Sequence, residues 1–149
     1  MRILLDVHPL IRCGPEPVVT TSILRFKKFY EHMPKQLYAA GIYPHVYNRA
    51  IAAFFNEILI NMGPPADRLC HKQPFSFYYL NYLNEIFPNA KFIHMIRDGR
   101  AVIASSIKIT KKMYEDCMRI GSTRCLTIRY EDLILNTMKE TKKIFQYVQ

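Results

Sequence analysis

Two arginines flank a glycine where a short apolar run ends. The run is Phe92 to Ile96, and Arg97-Asp98-Gly99-Arg100 follows it directly. Such a run reads as a buried strand, and the pattern beyond it, reaching Ser105 and Ser106, is helical. Guanidinium groups grip phosphate in a bidentate fork, and a helix N-terminus adds backbone N–H donors. Arg97 and Ser105 therefore suit a phosphate; the competing role for Arg97 is a structural ion pair with Asp98 or another acid. Glu16 stands between two prolines beside Cys13 and Gly14. A carboxylate on a rigid turn suits a general base, although a solvated loop glutamate would have the same neighbours. Lys72 lies between Cys70 and Pro74, where it would hold a transferring anionic group or serve as an ordinary surface lysine. Tyr130 follows a strand-like run and either lines a pocket or packs.

The elements that must position these groups follow from apolar spacing. Residues 1–8 read as the tail of a helix stopped by Pro9, with a turn around Cys13-Gly14-Pro15. Residues 18–32 form a helix with Ile23, Leu24, Phe26 and Phe29 on roughly one side. A helix over about 43–62 carries Val46, Ala50, Ala53, Phe54, Ile58 and Met62 at intervals of three and four, and Gly63-Pro64-Pro65 ends it. Arg68 to Lys72 reads as a short buried strand that Pro74 forbids from continuing. A helix over 75–86, a strand over 91–96, helices over 99–108 and 110–120, a strand over 124–129 and a final helix over 134–148 complete the chain. Helices alternating with short apolar strands indicate an α/β fold with a parallel sheet, whose ligands collect at the carboxyl ends of strands.

Composition sets the outer bounds. The chain has 149 residues, half of them hydrophobic, and a net charge of +9. That length predicts one domain, and that charge favours anionic partners or a solvated basic face. No nucleic-acid-binding motif is present, and the basic residues are spread rather than clustered, so nucleic acid is not the expected partner. No apolar run is long enough to span a membrane, and the opening MRILLDVHP is too short, with too early an aspartate, for a signal peptide. Four cysteines, none in a CxxC pair, argue against zinc. Their even number allows two disulfides and an oxidising compartment; four reduced thiols are equally compatible.

The order of these signals carries more than any one of them. RCGxE, then LCxK-P-F, then IFPNAKFIHMIRDGR with a serine eight residues after its first arginine, then two cysteines with seven residues between them and RYEDLIL, resembles the tyrosylprotein sulfotransferases. The resemblance runs over nearly the whole chain. It implies a P-loop-like sulfotransferase fold, a parallel sheet flanked by helices, here incomplete, with residues 1–149 forming part of a domain dependent on 3′-phosphoadenosine 5′-phosphosulfate (PAPS). The implied activity is transfer of sulfate from PAPS to tyrosine hydroxyls of secretory-pathway proteins, without a metal. Glu16 would be the catalytic base and Lys72 the group stabilising the leaving phosphate. Arg97 and Ser105 would hold the 3′-phosphate, and Tyr130 would line the cofactor pocket. Cys13 would pair with Cys70, and Cys117 with Cys125. The implied partners are acidic tyrosine-containing peptides or proteins and a second copy of the chain. The implied location is the Golgi lumen, or the Golgi membrane given an upstream anchor.

The chain departs from the pattern it resembles. The family's Pro-Arg-Ser-Gly-Thr-Thr loop, which cradles the 5′-phosphosulfate, would fall just before Met1, and its C-terminal segment would follow Gln149. Two family arginines that meet the peptide are Val18 and Ser22 here, with Arg25 the nearest base. A cofactor arginine is Ile109, beside Lys108. The stretch between Ile109 and Tyr114 is shorter than the family's by roughly 20 residues, a helix of about six turns. The alternative these departures imply is an inactive sulfotransferase-like binding domain lacking the 5′-phosphosulfate loop.

Overall fold

The computed structural model describes residues 2–30, 32–98 and 104–149, without the side chains of Pro34 and residues 104–107. The chain forms two compact units, Met1–Ser76 and Phe77–Gln149.

In the first unit, α1 (Arg2–Asp6) leads to β1 (Ile11–Arg12), then α2 (Val18–Tyr30), α3 (Pro34–Ala39), α4 (His45–Asn61) and β2 (Arg68–Leu69). β1 and β2 pair in parallel, Ile11 opposite Arg68 and Arg12 opposite Leu69. The Arg68 N–H donates to the Leu10 carbonyl at 3.0 Å, and the Cys70 N–H to the Arg12 carbonyl at 2.8 Å. β1 has no signature in the sequence, because two residues display no periodicity. β2 is expected to be buried but is exposed at both positions, since among the described residues its one strand partner is the equally short β1.

Arg12 reaches from β1 to α4. Its Nη2 donates to the Leu59 carbonyl at 2.6 Å and to that of Ile60 at 3.3 Å. These are among the last carbonyls of α4, which lack partners within the helix, and a cation there also opposes the negative end of the helix dipole. Gly63 leaves room for this contact, because a Cβ there would come within 3.0 Å of the guanidinium.

The buried faces of the two long helices differ from the expected ones. α2 buries Thr20, Thr21 and Leu24, whereas Phe26 and Phe29 are exposed. At 100° per residue, position 26 lies on the far side of the helix from Leu24. α4 buries Ile51 and Phe55, one turn apart, and exposes Val46. The apolar residues of α4 extend round too much of its circumference for spacing alone to pick the stripe.

The second unit begins at Phe77, within a 3₁₀ segment, Pro74–Tyr79, that leads into α5 (Leu80–Ile86). β3 (Phe92–Ile96), α6 (Ala104–Ile120) and β4 (Cys125–Arg129) form a parallel βαβ crossover, with Phe92 opposite Cys125 and Ile96 opposite Arg129. From Ala104 onward one helix replaces the two expected; residues 99–103 lie outside those described. α7 (Tyr130–Leu135) and α8 (Thr137–Val148) stand where one final helix is expected. Asn136, at φ −130° and ψ 47°, breaks the run.

Leu80, Cys117 and Cys125 form a buried cluster against Phe77, Phe92 and Ile120. Beside it Asp116, also buried, accepts hydrogen bonds from Asn81 at 3.0 Å, from Arg119 at 3.2 Å and from Lys112. Burial alone would raise its pKa. The bonds from Lys112 and Asn81, with the charges of Lys112 and Arg119, outweigh this and hold the carboxyl below its ordinary range. The architecture is the α/β one expected, with parallel pairing throughout and helices beside the strands. Among the described residues the strands form two two-stranded sheets, one in each unit.

Candidate functional site

In the first unit the chemistry gathers just past the carboxyl ends of β1 and β2. Cys13 and Cys70 are disulfide-bonded, their Cα atoms 4.3 Å apart and their sequence separation 57 residues. The same separation relates Ile11 to Arg68 and Arg12 to Leu69, so the disulfide joins the next pair in register. Beyond it, Gly14 turns the chain at φ +58°, a conformation that L side chains rarely adopt. The turn carries Glu16 back over the ends of the strands, where its carboxylate forms an ion pair with Lys72.

The strength of that pair says what it is for. The Glu16 side chain is 42% exposed and that of Lys72 36%. An ion pair so open to water contributes about 0–1 kcal/mol to stability. The disulfide, closing a loop of some 58 residues, is worth on the order of 4 kcal/mol. The covalent link therefore contributes more to holding the strand ends than the ion pair does, and the pair is left as a carboxylate and an ammonium in contact at the surface.

Two side chains that spacing did not single out complete this region. Thr20, in the first turn of α2, donates its hydroxyl to the Pro17 carbonyl at 2.6 Å. His71, next to Lys72, places Nε2 2.9 Å from the same hydroxyl oxygen. The imidazole also meets the Phe55 ring, with centroids 5.2 Å apart. Burial lowers the His71 pKa from 6.5 to about 4, so the ring is neutral near pH 7. A histidine adjoining both a bridged cysteine and the candidate lysine was the available signal.

In the second unit Arg97 and Tyr130 are the residues immediately past β3 and β4. They continue the register of those strands, and the Arg97 guanidinium sits over the Tyr130 ring, 5.1 Å from its centroid. Such a contact orients the guanidinium without occupying its N–H groups. The next pair in register is joined by a hydrogen bond: the Asp98 N–H donates to Glu131 Oε1 at 2.8 Å. That bond, followed by the residue's own backbone N–H, holds the Glu131 carboxyl below the usual range. Ser105 lies on α6, its side chain outside those described. Cys117 and Cys125 form the second disulfide, with Cα atoms 5.4 Å apart, tying the end of α6 to the start of β4.

The structure thus brings Glu16 to Lys72 and Arg97 to Tyr130, and forms both cysteine pairs. No helix among the described residues is long and apolar enough to cross a membrane.

Comparison with known proteins matches residues 1–112 to the model of the sulfotransferase family. The chain is 38% identical to the protein-tyrosine sulfotransferase of Drosophila melanogaster, over 99% of its own length and 35% of the relative's. It is 35% identical to protein-tyrosine sulfotransferase A of Caenorhabditis elegans, over 99% of the chain and 46% of the relative. To protein-tyrosine sulfotransferase 1 of Homo sapiens it is 43% identical over 79% and 35%. The chain thus spans between about a third and a half of the length of these relatives. The Drosophila alignment runs over 173 positions against 149 residues here, so at least 24 of its positions have no counterpart in this chain. With the family model covering most of its length and relatives of one kind aligned from end to end, the chain belongs to the sulfotransferase family.

Proposed function

We propose that this chain is the part of a protein-tyrosine sulfotransferase that holds the catalytic base and the 3′-phosphate site, acting on peptide tyrosines with PAPS as donor. The observation that carries this reading is the contact of Glu16 with Lys72 past the ends of two parallel strands. A phenol has a pKa of about 10 and is a poor nucleophile at neutral pH, so it needs a base in contact. Glu16 takes the phenolic proton. Lys72 donates a hydrogen bond to the oxygen that leaves sulfur, opposing the charge that builds on it. The acceptor hydroxyl enters between the two groups, which hold each other in the resting chain.

PAPS, when bound, supplies the sulfuryl group and departs as 3′-phosphoadenosine 5′-phosphate: sulfur gains its bond to the phenolic oxygen as its bond to the bridging phosphate oxygen breaks. The groups of this chain suit the anionic groups of such a nucleotide. Lys72 is partly open to solvent, and the exposed Arg97 is oriented on Tyr130 beside an anchored backbone. Arg97 holds the 3′-phosphate with Ser105, and Tyr130 flanks it. Two disulfides suit an oxidising compartment, which with the family supports action in the Golgi lumen. The basic balance of the chain suits acidic acceptor peptides, and self-association belongs to the same reading.

Transfer of labelled sulfate from PAPS to an acidic peptide with one tyrosine, against its phenylalanine twin, tests this. Label is expected on the tyrosine peptide alone, and Glu16→Gln should reduce it by about 100-fold or more. Undiminished transfer by that variant rejects the base. Nucleotide and peptide binding without transfer would instead identify a binding-only domain.

A further inference from the structure

We infer that His71 is a positioning residue for the Glu16–Lys72 pair, acting through Thr20 and the Pro17 carbonyl. The inference rests on reading that pair as the reacting pair.

The two hydrogen bonds fix their own direction. The Thr20 hydroxyl has one proton, and its 2.6 Å contact is with a carbonyl oxygen, which only accepts. That proton is therefore committed to Pro17. The 2.9 Å contact between Thr20 Oγ1 and His71 Nε2 then requires the ring nitrogen to be the donor. His71 is thus the tautomer protonated at Nε2, which sets it as a one-way tie from the β2 side to the turn. Pro17 directly follows Glu16, and His71 directly precedes Lys72. The chain of bonds accordingly joins the immediate neighbours of both functional residues.

The disulfide does not do this by itself. Cys13 is separated from Glu16 by Gly14, which adopts a left-handed conformation, and by Pro15. The Arg12 and Cys70 backbones are registered by the strands, but the turn beyond Cys13 needs a second point of attachment. Thr20, fully buried, supplies the anchor on α2, and His71 completes the link. Contact with Phe55 fixes the plane of the imidazole. The neutral ring adds no second cation beside Lys72.

Two substitutions separate the donor from the ring. His71→Phe keeps an aromatic ring against Phe55 and loses the N–H. His71→Gln loses the ring but presents an amide N–H at similar reach. Carbodiimide coupling of the Glu16 carboxylate to the Lys72 ammonium, measured by peptide mass spectrometry on the whole chain, reads their proximity without requiring turnover. His71→Gln should couple within about twofold of the parent and His71→Phe about fivefold less, as expected for losing one hydrogen bond. Nitrogen NMR of the parent should show the imidazole proton on Nε2. With transfer activity as readout, kcat should fall in His71→Phe and recover in His71→Gln, with KM for PAPS unchanged. The reverse order, phenylalanine coupling normally and glutamine failing, means the ring only packs and overturns the inference; so does a proton on Nδ1. Should the coupling follow the expected order while Glu16→Gln leaves transfer intact, the positioning role stands and the proposed function falls.

Discussion

Histidines mark what single residues contribute here, because two of them are kept neutral by burial. His71 is lowered from 6.5 to about 4, and His94, buried on β3 and stacked on Phe77 at 4.7 Å, is lowered in the same direction. Above pH 6.5 these rings are neutral in both folded and unfolded chains. As pH falls from 6.5 toward 4 the unfolded chain takes up protons first, so stability falls across that window. Urea unfolding should therefore show about 1–2 kcal/mol less stability at pH 5 than at pH 7 from His71. His71→Gln should flatten much of that slope. Asp116, with its lowered carboxyl, acts in a separate and more acidic window: its contribution is present above the ordinary value of 3.8 and is lost as pH drops through the folded value. Arg97 offers a second residue-level test. Arg97→Ala should weaken binding of 3′-phosphoadenosine 5′-phosphate about tenfold or more by titration calorimetry, the effect of losing a charged hydrogen-bonding partner. Equal binding would remove Arg97 from the nucleotide site. Of these residues, Arg97 and Lys72 stand out in the sequence as charged groups where short apolar runs end, and Glu16 as a carboxylate between two prolines. His71, Thr20 and Glu131 were not, because their roles depend on which backbones meet in space.

At the scale of elements, periodicity found what was long and missed what was short. α4 shows several turns of apolar repeats and falls within two residues of its expected start, whereas β1 and α3 span too few residues to show a period. The break at Asn136 was hidden for a different reason: the amphipathic pattern continues through it, and only the backbone departs. β1 and β2 contribute two residues each to their pairing, and a ladder so short is marginal in water. The bond between Cys13 and Cys70 stands in for it, and the loop lengths of the two disulfides rank their worth. The bond between Cys13 and Cys70 spans 57 residues, that between Cys117 and Cys125 only 8. By chain entropy these correspond to about 4 and about 2.5 kcal/mol. Replacing Cys13 and Cys70 together by alanine should cost more stability in urea than the same change at Cys117 and Cys125. The opposite order would mean that local packing around Leu80, rather than loop closure, decides.

Across the whole molecule, each unit places its candidate residues by the same device, a parallel pair of strands whose register runs on past the last ladder bond. In one unit the continued register is covalent, at Cys13 and Cys70. In the other it is the stacking of Arg97 on Tyr130 and the bond from Asp98 to Glu131. Neither depends on how long the chain is between the strands. The crossover from Ile96 to Cys125 is therefore a seam where length is free to vary. Relatives carry at least 24 residues that this chain does without. For a freely flexible chain, nearly doubling a length of 28 residues, the number between those strand ends, costs only about 0.5 kcal/mol in closure entropy. A Gly/Ser insert of about 20 residues after Ser122, in the turn between α6 and β4, should accordingly lower the melting temperature by only a few degrees and leave nucleotide affinity within about threefold. Loss of binding on such an insertion would mean that the helix in between, and not the strand register, aims Arg97. If the register does aim it, this crossover can change length by whole helical turns while the guanidinium past β3 stays where the strands put it.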